Sequence, residues 1–174
     1  MRAASKSPKK VDRHLTGQTG EFLVAAALTR LGYSVALPSG NAPNYDLLAY
    51  RDGVSRVVQV KCVSTGALQL SLGRFLSIRM DGKRQIITEV KAPSDPNIDF
   101  VIVFLGSDSD PDYFLCTKYG SFCGFVVEKH KKALAKYDGQ RSENPKNPES
   151  LHAGFALSDL KDSPIFMSFA EYFK

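Results

Sequence analysis

The stretch "NYDLLAYRDGVSRVVQVKC", Asn44 to Cys62, contains two apolar segments that are joined by a polar turn. Residues 45–50 and 57–62 are made mostly of apolar, strand-forming side chains. Residues 51–53 between them, with the sequence Arg-Asp-Gly, are typical of a tight turn. The stretch therefore predicts two strands that pair with each other through this turn.

Three polar side chains interrupt these apolar strands, although an unpaired charge in a buried strand costs free energy. Asp46 lies at the start of the first strand, and Gln59 and Lys61 lie two residues apart on the second. Because strand side chains alternate between faces, Gln59 and Lys61 are expected on one face. Pairing of the strands then brings Asp46 near them, so the spacing predicts a polar site at the end of the hairpin.

The preceding segment, "GEFLVAAALTRLG" from Gly20 to Gly32, predicts a helix. Thr16 or Thr19 can cap its start, and the helix is expected to reach Leu31 and end at Gly32. Glu21 shares its face with three apolar residues at helical spacing, namely Val24, Ala25 and Leu28. This spacing directs the Glu21 carboxylate toward the sheet, although an acid in the first turn can also simply complement the helix dipole.

The segments 68–80 and 84–90 are ambiguous, because "LQLSL" and "IITEV" suggest strands whereas "GRFLSIRM" could be helical. We favour a β-rich insertion. The nearly continuous apolar segment 98–105 is expected in the centre of the sheet, since a strand buried on both faces has this composition. The remaining predicted elements are strands at 33–37 and 113–117, a helix at 122–137, and a short helix near Phe169.

Together these elements predict an α/β domain, in which a mixed β-sheet is flanked by helices. The chain has 174 residues, 43% of them hydrophobic and 24% charged, which suits one globular domain with a single core. We expect a flexible arm over residues 1–15 and one domain over residues 16–174, with a C-terminal extension from about residue 138.

The cysteines and the hydropathy of the sequence indicate the cellular compartment in which the protein is expected. Three cysteines without a C-x-x-C pair argue against a disulfide framework and against a zinc ribbon. The sequence contains no signal-like apolar segment near its start and no apolar run of about 18 residues. We therefore expect a cytoplasmic protein that does not span a membrane.

The basic charge is concentrated at the start of the chain. Of the net charge of +5, +4 falls within the first fourteen residues. In the predicted arm, Lys9, Lys10 and Arg13 can contact the phosphate backbone of DNA. A solvated tail that only aids solubility is an equally open interpretation.

A second basic feature is a stripe of lysines on the outer side of the helix predicted at 122–137. Lys129, Lys132 and Lys136 share this stripe. Such a stripe is usually a solvated helix face, and it can also touch phosphate. The helix is expected to bury its opposite side through Val126, His130 or Val127, Leu134 and Tyr137.

The polar residues of the hairpin and the helix form a set that is suited to phosphodiester hydrolysis. Mg²⁺ prefers oxygen ligands and keeps several waters, so one or two carboxylates plus a substrate phosphate suffice to hold it. The ion polarises the phosphate and lowers the pKa of bound water. A nearby lysine can orient or help deprotonate that water and offset charge in the transition state.

The segment from Gly17 to Lys61 resembles the PD-(D/E)XK nuclease superfamily, whose restriction-endonuclease-like fold is shared by archaeal Holliday-junction resolvases. The resemblance rests on the helix glutamate, the "YDLLAY" strand and the "VVQVK" strand, which occur in the family's order. By similarity, Asp46 is the metal-binding acid, Gln59 the second ligand, and Lys61 the catalytic lysine. Glu21 completes or orients the metal shell. The implied cofactor is Mg²⁺, with Mn²⁺ as a substitute, and the implied partner is DNA; a resolvase would need two sites and hence a homodimer.

The sequence departs from the family pattern in two ways. Tyr45 occupies the place of the proline, a position that supplies no ligand. Gln59 replaces the usual Asp or Glu, so the site carries one negative charge fewer and metal affinity should fall. Two other functions remain open: a catalytically inactive relative that binds DNA through the same fold, and an interaction module that neither binds nor cleaves DNA.

Overall fold

The computed structural model describes residues 13–38, 45–64, 66–106, 111–116 and 118–173. In chain order the helices are α1 (Arg13–Arg30), α2 (Tyr119–Lys136), α3 (Leu157–Lys161) and α4 (Phe169–Tyr172), and a 3₁₀ turn covers Leu72–Arg74. The strands are β1 (Ser34–Ala36), β2 (Leu47–Arg51), β3 (Val54–Val63), β4 (Leu68–Ser71), β5 (Leu76–Asp81), β6 (Arg84–Val90), β7 (Asp99–Phe104), β8 (Asp112–Cys116), β9 (His152–Phe155) and β10 (Met167–Ser168).

Helix α1 begins at Arg13, so residues 13–15 of the predicted arm belong to the helix, and it ends at Arg30, one residue before the predicted end at Leu31. Neither predicted threonine therefore caps it, and the Thr19 hydroxyl donates to the Leu15 carbonyl at 2.7 Å within the helix. Gly32 has a φ of 86°, and the Tyr33 N–H donates to the Leu28 carbonyl at 3.1 Å. This is the Schellman arrangement, which needs a residue that tolerates positive φ.

The predicted hairpin is confirmed. Strands β2 and β3 pair antiparallel, with Leu47 opposite Val58 and Arg51 opposite Val54. The two turn residues, Asp52 and Gly53, have φ values of 52° and 81°. Positive φ at both positions matches the right-handed twist of a two-residue hairpin.

The main sheet has six strands in the order β1-β2-β3-β7-β8-β10. Strand β3 pairs antiparallel with β2 and parallel with β7, so the sheet is mixed as predicted. Every residue of β7 is buried, which confirms its place in the centre. Helix α1 packs on one face through residues such as Val24 and Leu28, and α2 lies on the other face, where Phe122 and Val126 join Phe100 of β7.

The segment between β3 and β7 is β-rich, as favoured. Strand β4 pairs with β9, and β5 forms a hairpin with β6. The helical character of "GRFLSIRM" has a local cause, because the 3₁₀ turn at Leu72–Arg74 immediately precedes β5. Helix α2 buries Val126, Val127, His130 and Leu134, as predicted, and leaves Tyr137 partly exposed.

The C-terminal residues complete both cores. Phe155 and Leu160 belong to the core on the α2 side, and Phe169 and Phe173 belong to the core on the α1 side. The guanidinium of Arg51 donates to the Leu31 carbonyl at 2.8 Å and to the Phe173 carbonyl at 2.7 Å. The predicted short helix near Phe169 is confirmed, whereas β9, α3 and β10 were not foreseen. In the described part of the chain, no helix is long and apolar enough to cross a membrane.

Candidate active site

Asp46 is fixed by the hairpin itself. Asp46 directly precedes the first paired residue of β2, Leu47, and its N–H donates to the Val58 carbonyl at 2.9 Å. Its Oδ2 accepts hydrogen bonds from the Gln59 Nε2 at 2.6 Å and from the Val60 N–H at 2.7 Å. These bonds hold the carboxylate against β3, and they occupy only one of its two oxygens.

Gln59 and Lys61 lie on the same face of β3. Both line a cavity of about 280 Å³, which lies between the sheet, α2 and the insertion that begins with β4. Because the Gln59 amide nitrogen donates to Asp46, its oxygen is the group that remains for another partner. The alternation of side chains along β3 thus delivers an oxygen donor and an ammonium to one cavity.

Glu21 lies within electrostatic range of the hairpin residues. Burial raises the pKa of Glu21, and the negative charge of Asp46 raises it further, whereas the charges of His14 and Lys61 lower it. A bound cation would relieve the burial and the neighbouring negative charge that disfavour ionisation of Glu21. His14 was not singled out from the sequence, although it lies seven residues before Glu21 and hence on the same helix face.

Glycine at position 20 explains how Glu21 comes so close to the sheet. A Cβ atom added to Gly20 would lie 2.5 Å from the Cβ and 3.1 Å from the Sγ of Cys62 on β3. The backbone of α1 therefore approaches β3 more closely than any larger residue allows. Sequence reasoning missed this contact, although a glycine inside a helix costs stability and often marks such an approach.

Lys61 is partly buried on β3. Within the described ranges, no ion pair joins its ammonium to Asp46 or to Glu21. Its charge nevertheless acts on Glu21. The ammonium therefore remains available for a group that enters the cavity.

The candidate oxygen donors for a hard divalent cation are two carboxylates and one amide. Among the residues that the structure describes, no cluster of three or more His, Cys, Asp and Glu side chains could hold a metal ion. Glu21 and Asp46 could offer two carboxylates to an ion, and the Gln59 amide oxygen could offer a third ligand. This composition fits Mg²⁺ or Mn²⁺, which accept amide oxygens and retain waters.

The predicted phosphate-contacting residues differ in their surroundings. Lys9 and Lys10 fall outside the described residues, and Arg13 is the first residue of α1. Lys129 forms an ion pair with Asp159, and its ammonium lies 4.6 Å from the centre of the Phe155 ring. The other two lysines of the α2 stripe, Lys132 and Lys136, are exposed. Contact of any of these residues with DNA stays a prediction.

Comparison with known proteins gives three findings. The family profile described as PD-(D/E)XK endonuclease matches residues 11–137. Protein 5.3 of Escherichia phage T7 is 38% identical over 71 residues, which cover 41% of this chain and 58% of that protein. The matched region thus spans less than two thirds of the phage protein. The structure of a bacterial homing endonuclease, I-Ssp6803I, superposes with a TM-score of 0.40 and 16% identity, covering 64% of this chain and 72% of the other.

Proposed function

Since the chain belongs to the PD-(D/E)XK endonuclease family, we propose that it is an endodeoxyribonuclease that hydrolyses phosphodiester bonds of DNA with Mg²⁺ as its cofactor. Nucleases of this family generally use divalent metal ions. One observation carries the proposal: Asp46 accepts a hydrogen bond from Gln59, Gln59 and Lys61 line one cavity, and the charges of Asp46 and Lys61 both act on Glu21.

The residues that would hold the ion are Asp46, through its oxygen that accepts no hydrogen bond from a described residue, Glu21, and the amide oxygen of Gln59. When bound, a divalent ion polarises the phosphate and lowers the pKa of a coordinated water. The protein's own part is to hold these oxygens in place before the substrate arrives. The Val60 N–H and the Gln59 amide do so for Asp46, and the close approach at Gly20 does so for Glu21.

Lys61 supplies the positive charge of the site. Its ammonium lies on the cavity side of β3 and is free of an ion pair with either acid. From there it can orient the attacking water and donate to a phosphate oxygen whose charge grows in the transition state. Partial burial strengthens this interaction relative to bulk water.

A cleavage assay tests the proposal. Supercoiled plasmid, linear duplex, four-way-junction and single-stranded DNA are incubated with the wild-type protein in Mg²⁺, in Mn²⁺ and in EDTA. We expect metal-dependent cleavage of at least one substrate and none in EDTA. The variant Asp46→Asn should lose cleavage while keeping its fold, because it removes ligand charge at constant volume.

A matched control lies in the same hairpin. Asp52 occupies the turn, its side chain is 88% exposed, and Asn also tolerates its positive φ. The variant Asp52→Asn should therefore cleave like the wild type. Equal activity of Asp46→Asn and Asp52→Asn would move the active site elsewhere.

A catalytically inactive DNA-binding protein is the second candidate function. The observation that favours it is Gln59, an uncharged residue whose amide nitrogen donates to Asp46. On that alternative the wild type shifts DNA in a salt-dependent manner and cleaves none of the substrates in either metal. An interaction module of a different kind would neither shift nor cleave DNA.

A further inference from the structure

The β-rich insertion contributes a cation to the candidate site. Arg74 closes the 3₁₀ turn between β4 and β5, and it lines the same cavity of about 280 Å³ as Gln59 and Lys61. It also lines the adjoining cleft of about 380 Å³, which again includes Gln59. Arg74 thus lines both cavities together with Gln59.

The turn that presents Arg74 is anchored on both sides. Leu72 and Phe75 are 0% and 3% exposed, and the Phe75 N–H donates to the Leu72 carbonyl at 2.8 Å. The Lys91 ammonium donates to the Gly73 carbonyl at 2.7 Å. A side chain on a backbone held in this way loses less conformational freedom on binding than one on a free loop.

The guanidinium of Arg74 makes no polar contact that would stabilise the described part of the fold. Across the described parts of the chain, Arg74 makes neither an ion pair nor a side-chain hydrogen bond, and its side chain is exposed. Tyr119 lines the same two cavities as Arg74. Burial raises the pKa of Tyr119 to about 12, and the positive charge of Arg74 opposes that rise, so the two side chains lie within electrostatic range of each other. The Lys91 ammonium, by contrast, is already bound to a carbonyl.

We propose that Arg74 binds a phosphate group of the nucleic-acid substrate beside the candidate active site. A guanidinium without a hydrogen-bond partner among the described residues can bind two phosphate oxygens through its rigid planar fork, a geometry that a lysine ammonium lacks. The insertion then forms one wall of the substrate-binding surface. This proposal rests on the proposed function, because it assumes that DNA enters the cavity lined by Gln59 and Lys61.

The test compares Arg74→Ala with Arg79→Ala. Arg79 lies on β5 in the same insertion, is exposed, and lines neither cavity, so both variants lose one exposed positive charge. Dissociation constants are measured by fluorescence anisotropy with a labelled duplex in EDTA, over a series of KCl concentrations. For Arg74→Ala we expect affinity to fall about tenfold and the slope of log K against log salt to decrease by ~0.9. Arg79→Ala should stay within about twofold of the wild type.

The variant Arg74→Lys separates a phosphate contact from a structural role. It keeps the positive charge and loses the planar pair of guanidinium donors. We therefore expect a smaller loss of affinity than for Arg74→Ala, and a slope of log K against log salt like that of the wild type. Circular dichroism checks that each variant is folded. A loss for Arg74→Lys as large as for Arg74→Ala, or equal effects of Arg74→Ala and Arg79→Ala, would overturn the proposal. A wild type that neither binds nor cleaves DNA would refute the proposed function itself.

Discussion

Gln59 stands at the position that we align with the Asp or Glu of the PD-(D/E)XK pattern. Its amide nitrogen lies 2.6 Å from the Asp46 Oδ2, so the hydrogen bond replaces what would otherwise be a contact between two acids. An uncharged residue here stabilises the site without a cation, and it reduces the charge that a cation would meet. At position 59, glutamine therefore favours the stability of the metal-free protein, whereas a carboxylate would favour the binding of a metal ion.

The substitution Gln59→Glu should reverse that balance. Without metal it removes the donor to Asp46 and sets a second carboxylate against it, so the free energy of unfolding at neutral pH should fall by roughly 1–3 kcal/mol. Added Mg²⁺ should raise the melting temperature of the variant by more than that of the wild type, because a ligand that binds the folded state stabilises it. Thermal melts in EDTA and over a Mg²⁺ series measure both effects.

The control for this prediction is Gln140→Glu, which adds the same charge at a position outside the cavity. Its melting temperature should respond to Mg²⁺ as the wild type does. If Gln59→Glu gains no more from Mg²⁺ than Gln140→Glu, the oxygen of residue 59 does not face a metal.

At the level of single residues, the sequence predicted the β2–β3 hairpin, whereas the roles of Asp46, Gln59 and Lys61 in a site stay predictions. Asp46, Gln59 and Lys61 lie on two strands joined by a two-residue turn, so strand alternation and short loop length fix their relation. Arg74 and Gly20 were missed for a different reason. Their contacts depend on how the insertion and α1 pack against the sheet, and nothing local in the sequence encodes those distances.

At the level of elements, the contact between α1 and β3 decides where Glu21 lies. The approach at Gly20 leaves no room for a Cβ atom, and the nearest atoms belong to Cys62 on a central strand that cannot easily yield. The neighbouring glycine of the same helix, Gly17, has no atom within 4 Å of an added Cβ. The two positions form a natural pair for testing the role of this contact.

The substitution Gly20→Ala should push α1 away from β3, lower the free energy of unfolding by about 1–3 kcal/mol, and reduce cleavage by displacing Glu21. Gly17→Ala should raise the free energy of unfolding by up to ~1 kcal/mol, because Ala is the better helix former. Urea denaturation of both variants, followed by the cleavage assay, measures the two effects. Equal behaviour of the two variants would mean that α1 does not pack on β3 at Gly20.

Elements were predicted most reliably where one pattern dominated. The apolar strand β7 and helix α2 follow clear patterns, and both were located within a few residues. Strands β9 and β10 are only four and two residues long, and each forms by pairing with a strand that is distant in sequence, β4 and β8 respectively. Such short strands form because their partner strands stabilise them, and they are too short to show a periodic pattern in the sequence.

At the level of the whole molecule, the family region does not form a closed core by itself. The family profile ends at residue 137, whereas Phe155 and Leu160 fill one core and Phe169 and Phe173 fill the other. The ring of Phe173 is 0% exposed and lies edge-on to Tyr33 at a centroid distance of 5.6 Å. The residues after 137 are therefore structural parts of the nuclease-like domain.

The substitution Phe173→Ala should lower the free energy of unfolding by about 3–5 kcal/mol, the usual cost of removing a fully buried aromatic ring. The control is Phe22→Ala on the outer side of α1, where the side chain is 60% exposed and the change should stay within about 0.5 kcal/mol. Urea denaturation curves of both variants measure this difference. A small effect of Phe173→Ala would mean that the C-terminal helix packs only loosely on the sheet.

The hydrogen bond from Arg51 to the Phe173 carbonyl can form only late during synthesis of the chain. Arg51 ties the hairpin to the Phe173 carbonyl, and Phe173 is synthesised long after the hairpin has left the exit tunnel. At ~5–20 residues per second, the hairpin waits on the order of ten seconds for the segment that completes its core. A nascent chain therefore carries Asp46, Gln59 and Lys61 before Phe169 and Phe173 are available to fill the core on the α1 side.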